Sequence, residues 1–355
     1  TDWPRSIFRL RSVLPLPPHQ NKIRFICGLM PKSSRKHGGA QHCSPLIALL
    51  AQHRSGLLAP GVHALADALR VQYGEAVAAI LVYGSCFRTG TDEGLVDLYV
   101  VVDRYRSLPG TSFLRLLYRI LPPTVFYLEI PLGDRRVRAK YAVISQADFR
   151  RGTSPRWFHS YLWARFAQPA SLLYVRNEEI ARQIHAARGR AIVTFITRVL
   201  PVLPATFDAE LLWREGLGRT YRTELRPERL DAVARLVQDN LGYYEQVTRA
   251  AMTSIPFDIR VHEEDPSVRY EAAIPERVRF WGGRAWSLRK ALGKTLNVLR
   301  LLKGLMTFQG GMDYVLWKIE RHSGMRPILS PRLQRHRWLA MGLMLWKLYR
   351  QGGYR

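Results

Sequence analysis

An α+β fold is what this sequence predicts, and three observations carry the prediction. Two short, β-rich apolar runs, Val77–Tyr83 and Leu95–Val102, are separated by a polar loop containing glycine. Further along, Glu178–Leu200 and Arg229–Ala251 repeat their apolar residues at helical spacing. The chain has 355 residues, 47% of them hydrophobic, which is enough for two domains with a proper core and rules out a wholly disordered protein.

Residues 1–45 hold one acid, Asp2, among scattered Arg, Pro and His. Pro15-Leu16-Pro17-Pro18 and Ser33–Gly39 oppose regular structure there. A disordered or non-native extension is expected over 1–45, with an Arg-rich targeting segment as the other reading. A sheet-bearing domain is expected over 46–180. Val77–Tyr83 reads as a buried strand ended by Gly84, and Leu95–Val102 as a second strand with Asp97 near its start. The apolar stretch Thr124–Pro131, carrying Glu129, would lie on a neighbouring strand. A mainly helical domain follows over 181–275. Pro201 and Pro204 limit its first helix, and Leu230, Val233, Leu236, Val237, Leu241 and Tyr244 share one side of the next.

The net charge of +26 predicts an anionic partner: nucleic acid, an anionic membrane surface or a polyphosphate substrate. The region 276–355 is the most basic. From Arg277 onward it carries 17 Lys/Arg against Asp313 and Glu320. Leu288, Leu292, Leu296, Leu299, Leu302 and Met306 form one helical stripe. Arg335-His336-Arg337 precedes the apolar run Trp338–Trp346, and Lys347 and Arg350 follow it. Cations and tryptophans around a short apolar run suit a helix lying in a membrane interface, with a core helix bearing a solvated basic face as the plainer reading. A spanning helix needs about 20 apolar residues, so none is expected. No helix-turn-helix, RRM or zinc-finger signature supports nucleic acid. Cys27, Cys43 and Cys86 fit neither a disulfide framework nor a zinc site, and a reducing compartment is the default.

The chemistry concentrates between Ala76 and Asp103. Glycine at a strand end lets backbone N–H groups approach a triphosphate, and the Ser85 hydroxyl adds a donor. The returning strand brings Asp97 beside those phosphates, where it can hold Mg²⁺. This order resembles the polymerase-β-like nucleotidyltransferases, whose pattern is Gly-Ser, about ten residues, then Asp-x-Asp. Here the second carboxylate is replaced by Tyr99, a poor Mg²⁺ ligand at neutral pH. Asp103 lies about 20 Å along an extended strand from Asp97 and is no substitute. Glu129 is a candidate for the missing ligand.

That departure points to a narrower family. Tyr83-Gly84-Ser85 and Asp97-Leu98-Tyr99-Val100-Val101-Val102-Asp103 resemble motifs of the mitochondrial-type phosphatidate cytidylyltransferases, the translocator-maintenance CDP-diacylglycerol synthases. Val125-Phe126-Tyr127 and Lys140-Tyr141-Ala142-Val143-Ile144-Ser145 are similar to two more of their segments. So are Phe158–Tyr174, Tyr221-Arg222-Thr223-Glu224-Leu225-Arg226 and the helix containing Asn240. The resemblance covers roughly residues 76–250. Within it, Arg165 and Pro169 keep the family's pattern, while Ala164 and Gln168 stand where the family has Gly and Lys.

The resemblance implies a polymerase-β-like domain over 46–180, a winged-helix-like domain over 181–275 and a membrane-associating region over 276–355. It implies transfer of a cytidylyl group from CTP to phosphatidate with Mg²⁺, giving CDP-diacylglycerol and pyrophosphate. Gly84 and Ser85, with Tyr83, would hold the phosphates. Asp97 would bind the metal, with Glu129 or Glu224 as the second carboxylate. Lys140 and Arg165 would neutralise phosphate, and Glu224, Arg226 and Asn240 would contact substrate. Two other readings compete: a nucleotidyltransferase acting on RNA or a small hydroxylated acceptor, and a catalytically decayed lipid-binding protein. Arg-, Ala- and Leu-rich usage points to a GC-rich bacterial genome, so the expected place is the inner face of a bacterial cytoplasmic membrane. The matrix side of the mitochondrial inner membrane is the eukaryotic equivalent.

Overall fold

Apolar strands with no polar face need cover on both sides, and that requirement organises this molecule. The computed structural model describes residues 44–52, 58–108, 111–224, 230–264 and 267–307. The expected N-terminal extension up to residue 43, Cys27, Cys43, Arg226 and the Trp338–Trp346 run lie outside them. The first elements are α1 (Ser44–Gln52), α2 (Pro60–Tyr73), β1 (Val77–Tyr83), α3 (Gly84–Thr89), β2 (Leu95–Val102), α4 (Ser112–Arg119), β3 (Thr124–Leu132), β4 (Arg135–Ser145), α5 (Gln146–Gly152), α6 (Trp163–Ala167) and β5 (Ala170–Val175). Then come α7 (Glu178–Val199), β6 (Thr206–Phe207), α8 (Ala209–Thr223), α9 (Leu230–Gln238), α10 (Leu241–Ala251), β7 (Asp258–Glu264), β8 (Ser267–Ala273) and α11 (Glu276–Thr307).

The fold is α+β: a mixed five-stranded sheet in the order β3-β4-β2-β1-β5, a small sheet β6-β8-β7, and helices. All seven residues of β1 are buried, as a central strand requires. β1 runs antiparallel to β2 with Tyr83 opposite Asp97, and β2 runs parallel to β4 with Asp97 beside Lys140. β1 and β2 have the bounds their sequences predict. The stretch between them differs from the expected loop, since Gly84–Thr89 winds into α3 and ends at Gly90 in the left-handed region (φ 70°).

Two apolar layers sandwich the sheet. Val62, Leu65 and Leu69 of α2 pack on the face bearing Ile80, Leu98 and Val143. The opposite face, bearing Leu81, Tyr99 and Ala142, meets Phe166 of α6, Phe195 of α7 and Trp213 of α8. That second layer continues without a break to Tyr244, Tyr270 and Trp286. Phe195, Trp213 and Tyr244 stack in series, with ring centroids 4.4 Å apart at each step. Local signals set the helix starts. The Asn177 side chain accepts from the Ile180 N–H at 3.0 Å at the head of α7, and Asp208 does the same for Leu211 at 2.7 Å at the head of α8.

Two helical expectations change. Arg229–Ala251, expected as one helix, is two, because Asn240 breaks the ladder. Its N–H turns to the Val237 carbonyl and its side-chain amide donates to the Leu236 carbonyl at 2.9 Å. Much of the leucine stripe of the basic region faces outward on α11, with Leu296 half-buried. Leu288, Leu292 and Leu299 are exposed, joined by Val298, Phe280 and Trp281. The inward face holds Trp286, Arg289 and Lys303, each donating to a backbone carbonyl: Arg198, Phe158 and Ile120 respectively. Gly293 lies on that face too, and a side chain there would overlap the Thr223 carbonyl oxygen.

Two of the glycines of α11, Gly293 and Gly283, give a matched test. Gly293→Val is expected to cost about 1–3 kcal/mol in urea denaturation, because a side chain overpacks against backbone that cannot yield. Gly283→Ala meets nothing within 4 Å and should gain up to about 1 kcal/mol from helix propensity.

Candidate active site

At the carboxyl end of β1 the chain turns into α3 through Gly84, whose φ is +86°. This conformation is open to glycine, and the space demands glycine as well. A Cβ here would lie 2.6 Å from the Asp97 carboxylate. Backbone and carboxylate thus touch, as the sequence pattern requires.

Register decides what surrounds Asp97. Tyr83, Asp97, Lys140 and Tyr127 lie opposite one another across four strands, so their side chains leave one face. Asp97 and Lys140 are half-buried. Neither has a hydrogen bond or ion pair among the described residues. The contrast with other carboxylates is sharp. Asp92 takes both terminal nitrogens of Arg135, at 2.5 and 2.9 Å, and the Gly61 N–H at 2.8 Å. Asp103 takes both from Arg176 at 2.7 Å. These guanidinium groups hold both carboxyls below their usual range against the cost of burial.

The structure brings Arg165 and Glu224 together. Arg165, on α6, is 3.7 Å from Glu224 at the end of α8, and its guanidinium lies 5.0 Å from the ring centres of Tyr83 and Tyr161. Tyr161 bears a second cation, Arg300 of α11, at 4.1 Å. Burial raises the Tyr161 pKa, but Arg165, Arg300 and Lys140 outweigh it and the phenol lies below its ordinary value. Lys140 therefore faces the same cluster. His159 nearby is held down to about 3 by burial, Arg300 and Arg198, so it is neutral at physiological pH. Ser160, Thr223, Glu224, Asn297 and Arg300 are among the residues lining a narrow pocket here.

Other expected site residues go elsewhere. Glu129 shares the Asp97 face but lies two strands away and two residues along, about 12 Å between Cα atoms. Its oxygens are taken by Tyr127 at 2.6 Å, Arg136 at 2.9 Å and Arg138 at 3.1 Å. It is an ion-paired strand residue, and the structure does not bring it to Asp97. The Asn240 amide is spent on its own helix end. Tyr83 is buried, its ring against Tyr99 at 5.4 Å. Ser85 is exposed beside Gly84. Gln168, in place of the family's Lys, accepts from the Tyr221 hydroxyl at 3.2 Å and donates to the Ala164 carbonyl at 3.1 Å.

Tyr99 explains the missing second carboxylate. It is fully buried, with its ring 4.8 Å from that of Phe166. A carboxylate there would lose its hydration among aromatic rings. Among the described residues no group of three His, Cys, Asp or Glu could hold a metal. The donor set fits Mg²⁺ that arrives with a polyphosphate, since that ion keeps several waters and needs only one or two protein carboxylates. Sequence reasoning missed Tyr161 and Arg300. Arg300 carries no local signal of its own, since it directly follows Leu299 in a basic helix with many other cations. Compared with known proteins, the chain matches no family model, and no curated protein matches it significantly.

Lys303 gives a pH test of how α11 is held here. Its ammonium donates to the Ile120 and Leu121 carbonyls at 2.8 and 3.1 Å. Burial, then Arg300, pulls its pKa down to about 7. Unfolded lysine titrates near 10.4, so between pH 7 and about 10 the unfolded chain holds a proton the folded one sheds, and stability rises with pH. Denaturation at pH 6, 7.5 and 9 should show wild type gaining on Lys303→Met across both intervals, with the larger gain in the upper one. Parallel curves throughout would disprove the shift.

Proposed function

We propose that this protein is a Mg²⁺-dependent nucleotidyltransferase that moves the cytidylyl group of CTP onto phosphatidate at a membrane surface. The observation carrying this reading is the Asp97–Lys140 pair. Opposite charges sit side by side on β2 and β4, unengaged, against a glycine turn that leaves no room for a Cβ. Asp92, Asp103 and Glu129 are paired with arginine, whereas Asp97 has no ion pair among the described residues, which supports its holding a ligand.

The sheet with its Gly-Ser turn is the polymerase-β-like part of this reading. The helices α8–α10, followed by the β7–β8 hairpin, are its winged-helix-like part. A phosphatidate oxygen attacks the α-phosphorus of CTP, the bond from that phosphorus to the bridging oxygen breaks, and pyrophosphate leaves. Positioning and charge stabilisation supply most of the rate. Gly84 and Ser85 hold the triphosphate by backbone N–H and hydroxyl. Asp97 is the ligand the chain offers to Mg²⁺, which when bound neutralises phosphate charge. Lys140 and Arg165 balance negative charge on the phosphates, and the burial of Arg165 strengthens its effect.

The outward face of α11 supports the membrane half. Phe280, Trp281, Leu288, Leu292, Val298 and Leu299 are exposed, and exposed Arg284, Lys290 and Lys294 lie among them. No described helix is long and apolar enough to cross a bilayer. An acceptor whose acyl chains stay in the membrane is reached by a protein lying on it. The position proposed is peripheral, on the inner face of a bacterial cytoplasmic membrane.

Two measurements test this reading. In mixed micelles with Mg²⁺, transfer from labelled CTP to phosphatidate should fall at least about a hundredfold in Asp97→Asn, since a metal-bound carboxylate supports several kcal/mol of charge stabilisation. Asp103→Asn, which frees Arg176, should melt at a lower temperature yet transfer at the wild-type rate below its Tm. Equal activity of Asp97→Asn and wild type would remove the mechanism. In flotation with anionic liposomes, Leu292→Glu combined with Leu299→Glu should leave most of the protein unbound, while transfer to a soluble short-chain phosphatidate persists.

A further inference from the structure

The structure assigns Arg300 of α11 to an anion site beside Tyr161, which we propose takes the phosphate group of the acceptor. Naming the acceptor rests on the transferase reading, whereas the anion site stands on the buried cations themselves. Arg300 and Arg165 lie over the same Tyr161 ring, at 4.1 and 5.0 Å. Nε and Nη2 of Arg300, and Nε of Arg165, are buried without a hydrogen-bond partner among the described residues. The Arg165 side chain is 11% exposed, and its one described carboxylate partner is Glu224 at 3.7 Å. Lys140 adds a third positive charge close enough to bear on Tyr161. His159, neutral at physiological pH, neither adds to this charge nor offsets it. Arg165 and Arg300 thus gather at this ring with Glu224 as the described carboxylate partner of Arg165, while Lys140 has Asp97 beside it on the next strand.

Desolvated cations with idle N–H groups are costly unless an anion joins them. The cost is borne at a pocket also lined by Ser160, Thr223 and Asn297, whose donors are engaged with one another and with the Thr220 and Thr223 carbonyls, so the idle donors there are those of the arginines. A phosphate group matches planar guanidinium donors arriving from two directions. Arg300 comes from the helix whose other face carries the exposed leucines. A phosphate carried on a lipid can therefore meet Arg300 while its chains remain on the outward side of α11. This is the ground for giving the pocket to the acceptor and the Gly84–Asp97 end to the nucleotide.

The test uses the full chain and inorganic phosphate at constant ionic strength. Binding is followed by calorimetry and by the rise in Tm, which a ligand specific for the folded state must produce. Arg300→Gln is expected to weaken phosphate binding about 10- to 100-fold, the value of hydrogen bonds to a charged group. Arg300→Lys should fall between, and Arg182→Gln, at an exposed surface ion pair on α7, should match wild type. Without anion, Arg300→Gln should melt no lower than wild type, because an unpaired buried charge has been removed. Soluble short-chain phosphatidate should compete with phosphate, and CTP with Mg²⁺ should not.

Phosphate stabilising Arg300→Gln as strongly as wild type would overturn the site. So would a loss of stability in anion-free buffer with phosphate affinity unchanged. Competition by CTP instead of phosphatidate would overturn the assignment to the acceptor. Arg300-dependent phosphate binding in a protein with no cytidylyl transfer would keep the site and sink the transferase reading. Transfer with Arg300-independent binding would do the reverse.

Discussion

The register of β1 on β2 is the constraint from which the rest of the site follows. Tyr83 must oppose Asp97 for Gly84 to touch the carboxylate as the chain leaves the sheet. A slip of one residue would send Asp97 into the layer of Leu98 and Val100 and expose their neighbours. Burial on both faces forbids that slip. β2 alternates between a layer packed on α2 and a layer packed on α6 and α7, and each has its own apolar partners. The parallel pairing of β2 with β4 then carries the register across to Lys140. A carboxylate and an ammonium become neighbours through strand pairing, with no hydrogen bond needed between them.

Burial of cations is the second organising feature. Arg165, Arg188, Arg198, Arg289, Arg300 and Lys303 are partly or fully buried in a protein whose net charge is +26. Three of them are accounted for by carbonyls. Arg198 reaches Phe158 and Pro155, Arg289 reaches Phe158, and Lys303 reaches Ile120 and Leu121. These contacts tie α7 and α11 to the loops before α6 and after α4. Arg198 and Arg289 lie on aromatic rings too, but Arg165 and Arg300 lie on theirs with no hydrogen bond to a carbonyl among the described residues. A ring face offsets part of the desolvation cost and leaves the N–H groups directed elsewhere. The same charge type is therefore structural in one place and poised in another, and the acceptor it meets makes the difference.

What the sequence disclosed depended on how local each signal was. β1 and β2 were legible because an uninterrupted apolar run ending in glycine has few other folds open to it. Gly84 and Asp97 were legible because a strand, a turn and a returning strand determine their proximity within a few residues. Glu129 was not. Its place depends on β3 pairing with β4 and not with β2, a choice made by the tertiary fold after β4 has taken the β2 edge. The break at Asn240 hid behind an apolar period that continues across it, and one side-chain amide competing for a carbonyl was enough to divide the helix. Arg300 was beyond reach because it lies 135 residues after Arg165 and meets it only when α11 folds back over Tyr161. Arg226 falls outside the described residues.

α11 shows how one helix can serve two media. Its leucines would read as a core stripe, yet Leu288, Leu292 and Leu299 are exposed, while arginine, lysine and a fitted glycine face the protein. The inversion is consistent once the neighbours are considered. The inward side meets the ends of α4 and α8 and the chain before α6, where free carbonyls need donors. A leucine in place of Lys303 would take the ammonium away from the Ile120 and Leu121 carbonyls, and one in place of Arg289 would remove one of the two arginines that serve the Phe158 carbonyl. The outward side has no such carbonyls to serve, and its leucines are left for whatever surface the protein meets. Because Arg300 and the exposed Leu299 are adjacent on this helix, any surface that grips the leucines also constrains the cation over Tyr161. In the proposed reading, attachment and anion binding would be coupled through this one helix.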